Sequence, residues 1–271
     1  MMNGSRLSSA LLRPPGRRYT GYALDLDGTV YLDDALLPGA DEAIAQLRRD
    51  GARVVFVTNK TLESAQDYAK KLTRLNIPAT PDDVVTALDA LVLFLQERHP
   101  QARLLTVAEP LVGSALTEAG LTVVSEPEDA DIVVVSFDRT FDYAKLHAAY
   151  RAVRSGAVIV ATNADPYCPT ADGGLPDCAA MTAAIEACTG VRAKTIVGKP
   201  SPHMAKSVLD RLGVPASEAA MVGDRLDTDV AMGKAAGMAG ILVLTGATSP
   251  ADLARSDIRP HAVVSTLAGV P

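Results

Sequence analysis

The stretch "YALDLDGTV", Tyr22–Val30, begins as a buried β-strand and then places two carboxylates, Asp25 and Asp27, two positions apart. Because side chains in a strand alternate between two faces, both carboxylates are expected to point the same way. Two like charges at the end of an apolar strand are costly unless the protein uses them. A binding or catalytic role for the pair is therefore the first hypothesis that the sequence raises.

Outward from this stretch, short runs rich in Val, Ile and Leu alternate with amphipathic helical runs. Strands are predicted at "RVVFVT" (53–58), "KTIVGK" (194–199), "AAMVGD" (219–224) and "GILVLTG" (240–246), and helices near 41–50, 62–76, 203–212 and 228–236. Near-continuous apolar strands that alternate with helices indicate a parallel sheet covered on both faces. The predicted fold class is α/β, with a Rossmann-like, doubly wound parallel sheet as its core.

The middle of the chain carries a second set of elements. Strands are predicted at "RLLTVA" (103–108), "LTVVS" (121–125), "IVVVSF" (132–137) and "AVIVAT" (157–162), with helices near 111–119 and 143–154. Since the flanking halves read as parts of one sheet, this block is interpreted as a domain inserted into another. The predicted organisation is an N-terminal extension (1–19), a catalytic core (20–83 and 188–271) and an inserted α/β cap domain (84–187).

Charge and composition exclude several classes of protein. The net charge of −6 argues against a nucleic acid or an anionic membrane as partner, since either needs a basic patch. The longest apolar runs, such as "ALVLFL" (90–95), are too short to span a bilayer. The three cysteines show neither a disulfide framework nor zinc-site spacing. A cytoplasmic protein with reduced thiols is predicted.

Polar residues follow the predicted core strands, where open α/β sheets bind their ligands. They are Asp25 and Asp27, then Thr58, Asn59 and Lys60, then Lys199, and finally Asp224, Asp227 and Asp229. So many acids at one sheet edge need a cation, and oxygen ligands favour Mg²⁺. Thr58, Asn59 and Lys199 add donors for anionic oxygens, as do backbone N–H groups in the turn after Asp25. A divalent cation, phosphate donors and a carboxylate nucleophile together indicate phosphoryl transfer through an aspartyl-phosphate.

Four motifs in this order resemble those of the haloacid-dehalogenase-like (HAD) hydrolase superfamily. They are "DLDGT" (25–29), the Thr58 position, "GKP" (198–200) and "GDRLDTD" (223–229). The insertion of about a hundred residues between the second and third motifs resembles a C2-type cap, including the phrases "SEPEDAD" (125–131) and "VIVATNADPYCPTADGG" (158–174). The nearest subgroup is the C2-capped NagD/p-nitrophenylphosphatase type, which is AraL-like.

The resemblance implies a role for each matching position. Asp25 would be the nucleophile, and Asp27 the general acid and then the base. Mg²⁺ would be held by the Asp25 carboxylate, the Asp27 backbone carbonyl and Asp224, with Asp229 steadying the metal's waters or Lys199. Thr58 and Lys199 would neutralise the phosphoryl group, with Asn59 nearby. The implied phosphate-binding and substrate-binding residues are Leu26, Asp27, Thr58, Asn59, Lys60, Asn163, Asp165, Tyr167 and Lys199.

Some assignments have a plain structural alternative. Thr58 could cap the helix that follows and also bind phosphate. Lys60, where the family usually has a second Asn, could touch an anionic substrate or face solvent. Asp227 is expected to be a solvent-facing acid of the first helical turn. Asn163, Asp165, Tyr167 and Asp172 lie in a predicted loop of the cap and could contact the leaving group or only shape a turn.

The function expected from the resemblance is a Mg²⁺-dependent phosphatase of small phosphate monoesters, such as sugar phosphates. Asp27 argues against a dehalogenase, because cleavage of a carbon–halogen bond releases no alkoxide that an acid would have to protonate. The short interval between Asp27 and Thr58 leaves no room for a mutase cap. The alternatives are a phospho-accepting receiver-like module or an inactive HAD-like binding protein. The sequence gives no oligomeric state and leaves a homodimer open.

Overall fold

The computed structural model describes residues 11–168 and 174–270. The described chain separates into two compact units. The first contains the described residues up to Thr58, then Tyr68–Val85, and the described residues from Val208 onward. The second contains Asn59–Asp67 and the described residues of Thr86–Ser207. The domain boundaries given above stay a prediction.

Strands and helices alternate along most of the chain. Within the described residues the strands are β1 (Gly21–Asp25), β2 (Tyr31–Leu32), β3 (Ala35–Leu36), β4 (Arg53–Thr58), β5 (Val84–Thr86), β6 (Arg103–Val107), β7 (Thr122–Val123), β8 (Ile132–Val135), β9 (Val158–Ala161), β10 (Tyr167–Cys168), β11 (Leu175–Pro176), β12 (Thr195–Ile196), β13 (Ala219–Gly223), β14 (Ala239–Val243) and β15 (Ala262–Val264). The α-helices are α1 (Ala40–Arg49), α2 (Ala65–Arg74), α3 (Ala87–Arg98), α4 (Pro110–Glu118), α5 (Tyr143–Arg154), α6 (Cys178–Thr189), α7 (Pro202–Leu212), α8 (Ala231–Ala235) and α9 (Pro250–Arg255). Each of these helices falls short of the length and apolar character that crossing a membrane requires.

The first unit is built on a six-stranded sheet in the order β15-β14-β13-β1-β4-β5. β1 pairs in parallel with β13 on one side and with β4 on the other. All residues of β1, β13 and β14 are buried, which explains their near-continuous apolar sequences. The chain order of the strands reverses at β1, and such a switch point opens a crevice at the carboxyl ends of the strands.

The second unit has its own five-stranded sheet, in the order β12-β9-β8-β6-β7, and its pairings are parallel. In β8, Ile132 and Val134 pack in one hydrophobic cluster, with residues of α3 and α4. Val133 and Val135 pack in a second cluster, with residues of α5 and α6. This alternation shows a sheet buried on both faces, as period-two strands between two helical layers require. The predicted α/β class with parallel sheets is confirmed.

Two elements differ from the prediction. "KTIVGK" was placed in the core sheet, but Thr195–Ile196 pairs with Val160–Ala161 and forms the edge of the second unit's sheet. The helix predicted at 228–236 begins instead as a π-helix over Leu226–Val230 and continues as α8. Other elements have no predicted counterpart: β2, β3, β5, β10, β11, β15, α3, α6 and α9.

The N-terminal extension is anchored where the structure describes it. Arg13 forms an isolated antiparallel bridge with Val263 of β15 through two backbone hydrogen bonds of 2.8 and 2.7 Å. Within the described residues, the extension predicted over 1–19 is therefore paired with the first unit's sheet at Arg13. Residues 1–10 lie outside the described residues.

Candidate active site

Three buried carboxylates converge in the first unit. Asp25 ends β1, Asp224 directly follows β13, and Asp229 lies in the π-helix. One oxygen of each lies within 4.8 Å of the other two, and the three residues are at most 7% exposed. Like charges that lie this close together and are shielded from water repel strongly unless a cation or a proton compensates them. An all-oxygen donor set fits a hard divalent cation such as Mg²⁺.

Glycine backbones pack directly against two of these carboxylates. A Cβ added at Gly246 would lie 2.0 Å from Asp224 Oδ2, and one at Gly223 would lie 2.2 Å from Asp229 Oδ2. Backbone N–H groups fix the same oxygens. Ala247 donates to Asp224 at 2.5 Å, and Arg225 donates to Asp229 at 3.1 Å. The close backbone holds the acids in place, so even a methyl group there would displace them.

The turn after β1 is closed by its own backbone. Val30 N–H donates to the Leu26 carbonyl at 2.8 Å, and Gly28 N–H donates to the Tyr31 carbonyl at 2.8 Å. Gly28 has φ +82°, which favours glycine. β1 ends at Asp25, so strand alternation does not extend to Asp27. Asp27 lies within the turn and is half-buried, whereas Asp25 is buried.

The residues of the second motif divide between the two units. Thr58 is the last residue of β4, is 3% exposed and belongs to the first unit. Asn59 and Lys60 belong to the second unit. Asn59 is buried and Lys60 is half-buried.

In the second unit, Lys199 and Asn59 are in direct contact. Lys199 is 3% exposed, and its backbone N–H donates to Asn59 Oδ1 at 2.7 Å. Asn59 Nδ2 donates to the Lys199 carbonyl at 3.3 Å and to Asp165 Oδ2 at 3.0 Å. Asn59 thus hydrogen-bonds both Lys199 and Asp165, and the resemblance implied a substrate-binding or phosphate-binding role for all three.

Asn163 and Asp177 extend this group. Asn163 Nδ2 donates to the Asn59 carbonyl at 3.1 Å, and its side chain also hydrogen-bonds Asp177. Burial raises the pKa of Asp177 from 3.8 to about 6. The charge of Asp165 raises this pKa too, whereas hydrogen bonds from Cys178 and Asn163 and the charge of Lys60 lower it.

The remaining cap residues are less enclosed. Tyr167 is 49% exposed and begins the short hairpin formed by β10 and β11. Asp172 lies outside the described residues. Asp227 is exposed, in agreement with the expectation of a solvent-facing acid.

Two features of the site were missed from the sequence. Asp177 caps α6 by accepting from Cys178 N–H at 2.6 Å. An acid before the helical run "CAAMTAAIEA" is a recognisable N-cap pattern. The loop after β14 contributes Gly246 and Ala247 to the Asp224 carboxylate, and its position at the end of a core strand could have indicated it.

Known proteins match this chain in sequence and in structure. A family model for haloacid dehalogenase-like hydrolases matches residues 22–122, and one described as HAD-hydrolase-like matches 196–270. The sugar-phosphatase AraL of Bacillus subtilis (strain 168) is 38% identical over 226 residues, which cover 83% of each chain.

Two solved structures match most of the chain. The crystal structure of 4-nitrophenylphosphatase from Thermotoga maritima matches with a TM-score of 0.87 and 39% identity, covering 93% of this chain and 95% of that one. The glycerol phosphate phosphatase of Mycobacterium tuberculosis, solved in complex with magnesium, matches with a TM-score of 0.86 and 34% identity. That match covers 95% of this chain and 78% of the other.

Proposed function

Because this chain belongs to the haloacid dehalogenase-like hydrolase family, we propose that it hydrolyses small phosphate monoesters with Mg²⁺ through an aspartyl-phosphate intermediate. It is a phosphoric monoester hydrolase of the NagD/p-nitrophenylphosphatase type. Sugar phosphates and p-nitrophenyl-phosphate-like esters are the proposed substrates, in line with the names of its relatives. The observation that carries the proposal is the buried triad of Asp25, Asp224 and Asp229 at the end of the core strands.

Enzymes of this family use a divalent metal ion, and Mg²⁺ is our proposal for this chain. Asp25, Asp224 and the backbone carbonyl of Asp27 would hold it, and Asp229 would bind either the ion or its waters. The bound ion supplies charge neutralisation for the phosphoryl oxygens and for the carboxylates themselves. The magnesium complex of the Mycobacterium tuberculosis relative supports this choice.

Asp25 is the proposed nucleophile. One of its carboxylate oxygens forms a bond to phosphorus, while the bond from phosphorus to the leaving-group oxygen breaks and its electron pair stays on that oxygen. Asp27 gives its proton to this oxygen, so the organic part of the substrate leaves as an alcohol. Asp27 lies two positions after the nucleophile, in the turn after β1, and is less buried than Asp25.

Hydrolysis of the aspartyl-phosphate returns the enzyme to its starting state. The Asp27 carboxylate takes a proton from a water molecule, whose oxygen bonds to phosphorus. The bond between phosphorus and Asp25 then breaks, which releases inorganic phosphate and the free Asp25 carboxylate. Thr58 and Lys199 are assigned to neutralise the phosphoryl oxygens, on the strength of their places in the family's motifs.

Residues of the second unit are assigned to the leaving group. Tyr167 is exposed on the hairpin that borders the segment 169–173, and we propose that it contacts the organic part of the substrate. Lys60 is half-buried in the same unit, and we propose that it contacts the anionic substrate. This proposal is separate from the chemistry assigned to Asp25 and Asp27.

Phosphate release from a panel of phosphate esters, with and without Mg²⁺, tests the proposal. Asp25→Asn should abolish turnover, and acid-quenched native enzyme should carry one phosphoryl group on the peptide that contains Asp25. Asp227→Asn is the matched control, since it removes an exposed acid of the fourth motif and should leave turnover unchanged. Turnover that survives in Asp25→Asn, or that is the same in chelator and in Mg²⁺, would refute the mechanism.

A further inference from the structure

The side-chain amide of Asn59 holds both peptide groups of Lys199. Its oxygen accepts from the Lys199 N–H at 2.7 Å, and its nitrogen donates to the Lys199 carbonyl at 3.3 Å. The approach is close enough that a Cβ at Gly198 would lie 2.7 Å from Asn59 Oδ1. The two-point contact therefore fixes the backbone from which the Lys199 side chain extends.

A second layer of contacts fixes Asn59 itself. Asp165 Oδ2 accepts from Asn59 Nδ2 at 3.0 Å, and the Asn59 carbonyl accepts from Asn163 Nδ2 at 3.1 Å. Asp165 N–H donates to Asn163 Oδ1 at 2.9 Å, so the two cap residues hold each other. The preceding residue, Thr162, accepts from Gly198 N–H at 2.7 Å. The segment 162–165 thus binds the Gly198–Lys199 backbone in two ways: directly, by a hydrogen bond from Gly198 N–H, and indirectly, through Asn59.

The hydrogen-bonding capacity of Asn59 is used within the protein. A side-chain amide has two N–H donors, and here one donates to Asp165 and one to Lys199. Its oxygen is engaged by the Lys199 N–H, and the residue is 7% exposed. A substrate oxygen would have to displace one of these buried bonds, which is costly.

We propose that Asn59 is a positioning residue that orients Lys199, held in place by Asp165, and that it does not bind the substrate. This replaces the direct role for Asn59 that the resemblance implied. The inference rests on the proposed function, in which Lys199 neutralises the transferring phosphoryl group. In this proposal, Asn59 positions Lys199 within the second unit, whereas Thr58, one residue earlier in the chain, belongs to the first unit.

An exchange of the two side chains tests the pair. Asn59→Asp keeps the acceptor for Lys199 N–H but sets a carboxylate against Asp165 and against the Lys199 carbonyl. We expect kcat to fall by about 100-fold, the order of loss expected for a misplaced catalytic group. The double variant Asn59→Asp/Asp165→Asn restores a donor and an acceptor between the two positions, and should recover kcat to within about tenfold of the native enzyme.

A second readout does not depend on activity. Acetic anhydride labels exposed lysine amines, and peptide mass spectrometry gives the labelling of Lys199 relative to exposed Lys206 in the same unit. Asn59→Asp should raise this ratio, and the double variant should lower it again. Gln96→Glu is the matched control, because it makes the same amide-to-acid change at an exposed side chain that donates to the Ala119 carbonyl. It should change neither readout.

The outcomes separate the two hypotheses. A rise in KM with unchanged kcat in Asn59→Asp, or a double variant no better than the single one in both readouts, overturns the positioning role. A native enzyme that hydrolyses no ester, with the labelling ratio still raised by Asn59→Asp and restored in the double variant, keeps the positioning role and refutes the proposed function.

Discussion

Replacing Asp177 by Asn should stabilise the protein at neutral pH, although it removes a helix-capping carboxylate. Asp177 is 4% exposed, caps α6, and lies close enough to Asp165 to be repelled by it. Asn is as good an N-cap as Asp, so the substitution keeps an acceptor for Cys178 N–H. The change therefore removes a buried charge and leaves the local hydrogen bond in place.

The size of the effect follows from the pKa of Asp177. Burial raises that pKa from 3.8 to about 6, which corresponds to about 3 kcal/mol between the two protonation states. The folded state binds this proton more tightly than the unfolded state does. The stabilisation that Asp177 contributes is thus complete below about pH 4 and is lost as the pH rises through about 6.

Urea unfolding at several pH values measures the prediction. The free energy of unfolding of Asp177→Asn should match that of the native protein near pH 4 and exceed it by up to about 3 kcal/mol above pH 7. Asp142→Asn makes the same substitution at the exposed N-cap of α5 and should give a smaller difference. A difference that stays constant with pH, or that reverses so that the variant becomes the less stable protein at neutral pH, would refute the reasoning.

Three further predictions concern the chemistry and the carboxylate triad. Asp27→Asn should slow hydrolysis of alkyl phosphates more than that of p-nitrophenyl phosphate, whose leaving group needs no acid; an equal loss on both would contradict the general-acid role. Gly223→Ala should raise the apparent Kd for Mg²⁺ by about tenfold or more, because its Cβ would meet the Asp229 carboxylate at 2.2 Å. Gly113→Ala is the control for Gly223→Ala, because its Cβ would meet only an ordinary contact at 3.8 Å. An unchanged Kd in Gly223→Ala would argue against a role for Asp229 at the metal. Mg²⁺ at a hundred times its Kd should raise the free energy of unfolding of the native protein by about 3 kcal/mol. Asp224→Asn should lose most of that gain, but without metal it should be more stable than the native protein, because it relieves the repulsion between the carboxylates. Calorimetry with Mg²⁺ and with a chelator measures both effects.

Local pattern was enough to predict much of the fold. "RVVFVT" forms β4 at the predicted bounds, and α5 spans Tyr143–Arg154 as expected, because each has a strong period and clear end signals. The predicted α/β class follows from the same alternation. Helix and strand periods depend only on neighbouring residues, so they can be read without knowing the rest of the structure.

Sheet membership and side-chain partners depend on distant residues. Thr195–Ile196 is a two-residue strand whose sequence does not show which sheet it joins, and its pairing with β9 is a long-range event. Asp25, Asp224 and Asp229 could be grouped from the sequence because parallel strands end at one edge. The contact between Asn59 and Asp165 could not, since the two residues are 106 positions apart and no periodic pattern links them.

Because of the π-helix at Leu226–Val230, the number of residues in this segment decides where Asp229 lies, more than the identity of its exposed side chains does. Asp224 precedes it and Asp229 lies inside it, with their carboxylates within 4.8 Å of one another. A π-turn carries one residue more than an α-turn, and each residue of an α-helix turns the next by about a quarter of a circle. A one-residue deletion here would convert the turn to α and rotate Asp229 away from its partners. Side-chain exchanges at exposed Asp227 should be tolerated, whereas insertions and deletions should not.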